Sequence, residues 1–318
     1  MPGWRPSASI AVIQQRAELL GKIRTFFGQR DILEVETPLL CSTGVTDPSL
    51  EPLVVEGGVS LASPRYLQTS PEYCMKRLIA AGSGSIFQIA RAFRDGEAGS
   101  RHNPEFTLLE WYRTQYDHHQ LMAELAELVC CVLGERKWQK FSYRELFLQR
   151  LGLDPFTATG EQLRDTALAH IDLGFVSGDR DLWLDLLMSH LIEPQLAEMG
   201  MCFVYDYPAS KAALSRIVQS GDVDVGQRFE LYVDGMELAN GYCELTDAVE
   251  QERRFQADND KRREMGLAEK PIDRQLLAAM KHGLPECSGV AVGIDRLLML
   301  LTGSTDIRDV LAFDWQCS

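Results

Sequence analysis

The chain lacks the features that mark secreted, membrane-spanning and zinc-stabilised proteins. Its eight cysteines include no CxxC pair, which disfavours a structural zinc site and indicates reduced thiols. No basic-then-apolar signal pattern opens the sequence. The most apolar short run, Leu297 to Leu301, is far too short to cross a bilayer. These absences predict a soluble protein of the cytoplasm.

Positive charge is also scarce. The 32 lysines and arginines face 46 aspartates and glutamates, so the net charge is -14. That balance disfavours broad electrostatic binding of nucleic acid, although it allows a small basic patch such as Lys261, Arg262 and Arg263. At 318 residues, with 45% hydrophobic and 25% charged residues, the composition is ordinary for a globular protein.

The pattern of apolar residues predicts strands that come in hairpins instead of alternating regularly with helices. A helix is predicted over residues 10–29, and Phe87 to Arg94 and Phe106 to Tyr112 read as neighbouring antiparallel strands. Residues 141–200 are mainly helical, and Cys202 to Tyr207 reads as a strand. This arrangement predicts an α+β fold, in which an antiparallel β-sheet is flanked by helices.

The stretch from Phe93 to Tyr112 carries the strongest chemical signal. Arg94 ends an apolar run, and a loop rich in polar side chains follows it. Two strands joined by a cation-lined loop form a suitable cradle for a polyphosphate. The alternative without a functional role is an amphipathic hairpin in which Arg94 only forms an ion pair with a carboxylate. The loop contributes Arg101, His102 and Asn103, and the next strand alternates Phe106, Leu108, Glu110 and Tyr112 onto one face.

An acidic hairpin is predicted around the dipeptide Asp234-Gly235. A two-residue turn there puts Tyr232 opposite Glu237 and Glu230 opposite Ala239. Glu230 and Glu237 then share one face, where a divalent cation can bridge their carboxylates.

Further along the same hairpin, strict alternation would place Asn240, Tyr242 and Glu244 on the face opposite that of Glu237. One extra residue near Asn240 or Gly241, as a β-bulge, would bring both sets together. We therefore predict an irregularity between Glu237 and Glu244. The alternative is a solvated hairpin whose acidic residues have no function.

Two shorter segments permit both a structural and a functional interpretation. Ser70 and Pro71 fit the N-cap and first position of a helix, with Glu72 behind them. In GVAVGIDR, Gly293 could simply let a strand meet a helix closely. Arg296 opposes the helix dipole in the first turn, which predicts an anionic partner.

Taken in order, these segments resemble the catalytic core of class II aminoacyl-tRNA synthetases, in particular lysyl-tRNA synthetase. The helix and strand that end at Pro38 resemble the first motif, FRDGEAGSRHNPEF the second and GVAVGIDR the third. TSPE and ELANGYCEL resemble the lysine-type amino-acid pocket. The stretches HNPEFTLLEWYR, FVYDYPASKAALS and CSGVAVGIDRLLMLL are similar to the stand-alone elongation factor P–(R)-β-lysine ligase family.

The resemblance implies one class II synthetase-like catalytic domain over residues 1–318, with no N-terminal anticodon-binding domain, because the first-motif helix begins near Ile10. It also implies ATP-dependent activation of (R)-β-lysine or lysine as an aminoacyl adenylate, with Mg²⁺. The acyl group is then transferred to a lysine side chain of elongation factor P by a homodimer. The acidic balance weighs against tRNA as the acceptor.

Two alternatives remain open. One is an adenylate-forming lysine ligase that acts on tRNA or another amine. The other is a catalytically silent paralogue that binds an amino acid and regulates a partner. A silent paralogue would be expected to have lost Arg94, Glu237 or Arg296, and all three are present.

The resemblance also assigns roles to individual positions. Arg94 is implied to hold the α-phosphate and Arg296 the γ-phosphate, as the catalytic pair. The remaining ATP-binding positions are Asp95, Gly96, His102, Asn103, Phe106, Glu237, Leu238 and Gly293. The amino-acid substrate is assigned Ser70, Pro71, Glu72, Glu110, Tyr112, Asn240, Glu244 and Ala291. The magnesium positions are Glu230 and Glu237.

Two positions depart from the pattern of the resembled families. The second motif usually has arginine, a polar residue and then glutamate, whereas here Gly96 takes the third place and Glu97 follows it. Ala291 stands where lysyl-tRNA synthetases usually have glycine. Our hypothesis is that the methyl group of Ala291 crowds the α-amino position and favours an amine on the β-carbon.

Overall fold

The structure is a computed structural model that describes residues 4–57, 63–172, 174 and 177–318. The chain divides into two compact units, which we describe separately. The first unit comprises the chain up to Tyr116, Cys131–Leu133 and Thr246–Ser318, and the second comprises Asp117–Cys130 and Gly134–Leu245.

The strands and helices of the described residues follow the predicted order. The strands are β1 (Leu33–Glu34), β2 (Leu40–Cys41), β3 (Val54–Val55), β4 (Arg65–Leu67), β5 (Ile86–Phe93), β6 (Glu105–Thr114), β7 (Trp138–Ser142), β8 (Met201–Pro208), β9 (Ile217–Ser220), β10 (Val223–Val233), β11 (Met236–Cys243) and β12 (Cys287–Gly293). The α-helices are α1 (Ile10–Gly28), α2 (Glu72–Ala80), α3 (His118–Leu133), α4 (Tyr143–Leu151), α5 (Gly160–His170), α6 (Arg180–Leu187), α7 (Glu193–Leu196), α8 (Ala248–Glu264), α9 (Arg274–Gly283) and α10 (Ile294–Thr302).

In the first unit, β1, β5, β6 and β12 are neighbours in that order, and β2, β4 and β3 form a small separate sheet. The predicted antiparallel pair is confirmed, since β5 and β6 pair from Ile86↔Tyr112 to Phe93↔Glu105. The short strands β2 and β3 were not predicted, because two-residue strands leave almost no alternation to detect. α2 begins at Glu72, so Pro71 occupies the N-cap position and not the first helical position that we predicted.

Helix α1 covers the sheet of the first unit with aromatic side chains. Phe27 stacks on Phe87 with ring centroids 4.4 Å apart and lies 5.2 Å from the ring of Trp111. The predicted helix is confirmed, and its buried side consists of Leu19, Ile23, Phe26 and Phe27. Aromatic contacts of this kind add to the area that α1 buries, and they hold the back of β5 and β6 rigid.

In the second unit, β11, β10, β8 and β7 are neighbours in that order, and β9 pairs with β10. Helices α4 to α7 bury a common core that includes Phe147, Trp183 and Leu187. Residues 141–200 are mainly helical, as predicted, but β7 was missed and pairs in parallel with β8. The α+β class is confirmed; parallel pairing of β7 with β8 and of β1 with β5 makes the strand pairing mixed and not purely antiparallel.

Candidate functional site

The loop between β5 and β6 places Arg94 beside an aromatic ring. The guanidinium carbon of Arg94 lies 5.0 Å from the ring centroid of Phe106, and the backbone amide of Arg94 donates to the carbonyl of Pro104 over 2.9 Å. Arg94 also pairs with Glu97, with a nitrogen to oxygen distance of 3.5 Å. A partly exposed cation next to a ring presents a site for a planar, negatively charged ligand such as a nucleotide.

Gly96 in this loop has a φ of +79°, a backbone conformation that glutamate rarely adopts. The loop therefore could not hold the glutamate usual at this place without strain. Glu97 supplies a carboxylate one residue later, and that carboxylate contacts Arg94. The departure in the second motif thus reflects an altered loop backbone as well as a changed side chain.

Arg296 projects from the first turn of α10 towards the same loop. Its Nη2 lies 2.7 Å from Nε2 of His102, and its Nε donates to the carbonyl oxygen of Arg101 over 3.4 Å. Burial, followed by the charge of Arg296, lowers the pKa of His102, so that the imidazole stays neutral at pH 7 and can accept from the arginine. Arg94 and Arg296 therefore both contact the segment that runs from Arg101 to Pro104.

Three further predicted residues lie in this part of the first unit. Asn103 is buried, donating to the carbonyl of Glu105 over 2.6 Å and accepting from the amide of Trp315 over 3.2 Å. A Cβ added at Gly293 would meet the side chain of Arg296 at 3.7 Å, which is an ordinary contact. Close packing between β12 and α10 therefore does not by itself require glycine at position 293. Asp95 accepts from the amide of Gly96 through its own side chain over 2.9 Å.

The predicted amino-acid pocket brings together Ser70, Glu72, Glu110 and Tyr112. The hydroxyl of Ser70 accepts from the amide of Glu72 over 3.0 Å, and the hydroxyl of Tyr112 donates to Glu110 over 3.3 Å. Lys76, one turn later on α2, lies 2.5 Å from the carboxylate of Glu72. Ala291 is paired with Glu110 across β12 and β6, so the two residues share a face of the sheet.

Glu110 is buried, with 2% of its surface exposed. Burial and the neighbouring Glu72 carboxylate raise the pKa of Glu110 to about 8. Its Oε1 has no hydrogen-bond partner within the described part of the chain. A buried acceptor of this kind is costly unless a ligand supplies the missing donor.

In the second unit, the hairpin of β10 and β11 turns at Asp234 and Gly235, whose φ values of 50° and 76° fit the predicted two-residue turn. Tyr232 pairs with Glu237, as predicted. Our prediction that Glu230 pairs with Ala239 was wrong, because Glu230 pairs with Asn240.

The cause of this difference is a shift of register in the hairpin. Leu231 pairs with Ala239 while Tyr232 pairs with Glu237, so Leu238 is the extra residue of a bulge. The predicted irregularity between Glu237 and Glu244 is confirmed, but it lies at Leu238 and not near Gly241. Its effect is the one expected: Glu237 and Asn240 come onto the face that carries Glu230.

Glu230 lies within a network that the sequence did not reveal. Its Oε2 accepts from the hydroxyls of Tyr207 and Tyr232, each over 2.6 Å, and its Oε1 accepts from Arg228 and, over 3.5 Å, from Asn240. Burial, followed by the charge of Glu230, raises the pKa of both tyrosines, so their hydroxyls remain donors. Alternation along β10 places Arg228 and Tyr232 on the same face as Glu230, so the sequence could have predicted these two partners. Tyr207 is 23 residues away in sequence and could not be predicted in this way.

The remaining predicted residues of this unit lie on β11 or just beyond it. Leu238 is buried, and Glu244 is buried with an isolated bridge to Ser215. Within the described residues, no group of three or more histidine, cysteine, aspartate or glutamate side chains is arranged to hold a metal ion. The two carboxylates Glu230 and Glu237 are the candidate pair, and they share one face of the hairpin.

The chain is similar in sequence to one protein family and to curated ligases over nearly its whole length. The family model described as tRNA synthetases class II (D, K and N) matches residues 3–315. The elongation factor P–(R)-β-lysine ligase of Pseudoalteromonas translucida (strain TAC 125) is 50% identical over 316 residues, covering 98% of this chain and 97% of that protein. The ligase of the same name from Vibrio cholerae (serotype O1) is 49% identical over 315 residues, with the same coverage.

The chain belongs to the class II tRNA synthetases (D, K and N), and within them to the elongation factor P–(R)-β-lysine ligase family. The resemblance read from the ordered segments is thereby confirmed. The segments that we interpreted as the second and third motifs fold as the β5–β6 hairpin, which precedes and follows Arg94, and as β12 with α10, which carries Arg296. Among the described residues, no helix is both long enough and apolar enough to span a bilayer.

Proposed function

We propose that this enzyme activates (R)-β-lysine or lysine with ATP and transfers the resulting acyl group to a lysine side chain of elongation factor P. Its membership of a ligase family at 50% identity over nearly the whole chain supports this assignment. The match over residues 3–315 supports the proposal that the chain forms one class II catalytic module. The single observation that carries the ATP site is that Arg94 and Arg296 contact the same loop segment.

The reaction proceeds in two steps without a covalent enzyme intermediate. A substrate carboxylate oxygen attacks the α-phosphorus of ATP, and pyrophosphate leaves. The acceptor amine then attacks the acyl carbon of the adenylate, and AMP leaves. Arg94 stabilises the charge that develops at the α-phosphate, with Phe106 stacked on adenine, and Arg296 holds the γ-phosphate. Positioning and charge stabilisation account for most of the acceleration.

The amino-acid substrate is recognised by carboxylates because both of its amino groups are cationic at pH 7. Within the first unit, Glu72 and Glu110 receive amino groups, and Tyr112 and Ser70 orient them. Each buried carboxylate that gains an ammonium partner recovers part of the free energy lost on burial. Ala291, next to Glu110 on the neighbouring strand, is proposed to select the position of the amino group.

Magnesium is proposed to bind through Glu230 and Glu237. The donor set fits the ion, since Mg²⁺ prefers carboxylate oxygens and usually keeps several water ligands. The longest hydrogen bond to Glu230 is the one from Asn240, at 3.5 Å, so this is the bond that a metal ion would most readily displace. When bound, the ion would neutralise phosphate charge. Tyr207, Tyr232 and Arg228 hold the Glu230 carboxylate in a fixed orientation.

Two measurements test the proposal. Exchange of labelled pyrophosphate into ATP should depend on a lysine isomer, and mass spectrometry of elongation factor P should show one added β-lysyl or lysyl group after incubation. Exchange without modification of the factor would retain adenylate formation and reject the proposed acceptor, and a parallel incubation with tRNA would then test that alternative. Absence of exchange with both isomers would reject the enzyme proposal in favour of a binding protein.

A further inference from the structure

The amino-acid pocket of the first unit carries two carboxyl groups but pairs only one of them with a cation. Lys76, which is nearly fully buried, holds Glu72 at 2.5 Å. The hydroxyl of Ser70 accepts from the amide of Glu72 over 3.0 Å. The protonation state of the second acid, Glu110, in the substrate-free protein therefore depends on its other neighbours.

The groups that face Glu110 within its own unit are mostly neutral. On β6, the hydroxyl of Tyr112 donates to its Oε2. On the flanking strands, Gln88 and Ala291 occupy the paired positions, and Gln88 accepts from Thr37 through its side chain. The remaining charges are Glu72, which is repulsive, and Arg94, whose effect on the pKa of Glu110 is smaller than those of burial and of Glu72.

This setting disfavours an ionised carboxylate at position 110. An ionised Glu110 would be poorly solvated, because only 2% of its surface is exposed and Oε1 has no hydrogen-bond partner within the described residues. The second carboxylate nearby would also repel it. In such pairs the more buried acid keeps its proton while the one with the cation ionises. The raised pKa, about 8, agrees with that assignment.

We infer that Glu110 is protonated in the empty enzyme, and that an ammonium group of the amino-acid substrate replaces this proton on binding. This inference rests on the proposed function, because it concerns the same pocket and a diamino acid substrate. The balance is simple: a carboxylic acid and an ammonium ion become a carboxylate–ammonium pair, and one proton passes to solvent. Lys76 places its positive charge beside Glu72, with its Nζ 2.5 Å from the Glu72 carboxylate.

Proton release has a consequence for selectivity. A substrate with an ammonium group offsets the free energy of ionising Glu110 by forming a charge-assisted hydrogen bond with it. An analogue of lysine whose terminal amino group is replaced by a hydroxyl cannot do so, and it would leave Glu110 protonated. Only the cationic substrate bears the cost of ionising Glu110, so the pocket should discriminate less against neutral analogues near pH 7 than at pH 9, where Glu110 is already ionised.

Isothermal titration calorimetry of the intact protein with each lysine isomer, in two buffers of different ionisation enthalpy at pH 7, tests the inference. We expect wild type to release close to one proton per molecule bound, and to release less at pH 9, where Glu110 is already ionised. Glu110→Gln should bind more weakly and release none. Glu105→Gln is the matched control, because Glu105 lies on the same strand with its side chain 50% exposed, and it should behave as wild type.

The outcomes separate this inference from the proposed function. Binding of a lysine isomer with the same heat in both buffers would overturn the inference and leave the proposed function intact. Failure of both isomers to bind would overturn both. If Glu110→Gln does not fold, infrared spectroscopy of wild type replaces it: the band of a protonated carboxyl group should disappear when the isomer binds, and its persistence would overturn the inference.

Discussion

The backbone carbonyl of Glu51 accepts a hydrogen bond of 2.8 Å from the backbone amide of Asp95. Asp95 follows Arg94 in the loop proposed to bind ATP. The position of Glu51 is held by ion pairs of its side chain with Arg262, at 2.5 Å, and with Lys270. Arg262 also donates to the carbonyl of Asp47 over 3.2 Å. The buried cations on and after α8 thereby support the loop that carries Arg94.

We predict that Arg262→Met weakens ATP binding through this support. Arg262 is 1% exposed, and removing it takes the side-chain donor from the carbonyl of Ala268. It also takes one of two donors from the carbonyl of Asp47, which still accepts from the amide of Leu50. Because the partner Glu51 is 40% exposed, the loss should cost less than the roughly 3–5 kcal/mol typical of a fully buried pair. KM for ATP should rise more than KM for lysine, and the melting temperature should fall. Arg263→Met, at an exposed position of the same helix, should leave both quantities near wild type. Equal changes in both KM values would contradict a specific effect on the loop.

Ala291→Gly should change the choice between lysine isomers. The methyl group of Ala291 lies on the same face of the sheet as Glu110, in the proposed amino-acid pocket. Removing it should increase adenylate formation with α-lysine relative to (R)-β-lysine, by about fivefold for about 1 kcal/mol of relieved crowding. Pyrophosphate exchange with each isomer measures the ratio. An unchanged preference would show that Ala291 is not the selector.

Glu110→Gln should stabilise the substrate-free protein at alkaline pH. A carboxyl whose pKa is raised in the folded state favours folding below the unfolded value of 4.5, and that contribution is lost as the pH rises through about 8. Wild type should therefore lose stability between pH 5 and pH 9 relative to the variant. Urea unfolding at several pH values measures this difference. Glu105→Gln should follow wild type, and parallel curves for wild type and Glu110→Gln would contradict the raised pKa.

Arg94→Ala should abolish most of the adenylate formation. We propose that this guanidinium stabilises charge at the α-phosphate, and loss of one such donor costs on the order of 100-fold or more in rate. The melting temperature should change little, because the side chain is partly exposed. Arg91→Ala, three residues earlier and partly exposed on β5, is the control and should retain exchange activity. Comparable activity of the two variants would remove Arg94 from the mechanism.

Tyr207→Phe should destabilise the second unit by roughly 1–3 kcal/mol. The substitution leaves Oε2 of the buried Glu230 with a single donor, Tyr232. Thermal unfolding of wild type and variant gives the difference. Tyr205→Phe, two residues away on β8 and outside the Glu230 network, should have a smaller effect. If the two variants unfold alike, the Tyr207 to Glu230 hydrogen bond contributes little.

Much of the site could be predicted from local pattern. The alternation of Phe106, Glu110 and Tyr112 on one strand follows from the period of two in β-structure, and the structure confirms the pairing. Asp234-Gly235 specified its turn because both residues tolerate positive φ. The ordered motifs identified the family because each requires several particular residues at fixed spacing.

Other features depended on contacts between segments distant in the chain. Alternation indicated that a bulge was needed in β11, but not that Leu238 would be the extra residue, because cross-strand pairing decides the register. Likewise, Tyr207 meets Glu230 only because β8 lies beside β10, and Glu51 supports Asp95 only because α8 supplies Arg262. The sequence by itself determined most of the longer elements, the motifs and the family. The tertiary structure decided which buried charges neutralise one another, because burial and distance set those energies and neither is encoded locally.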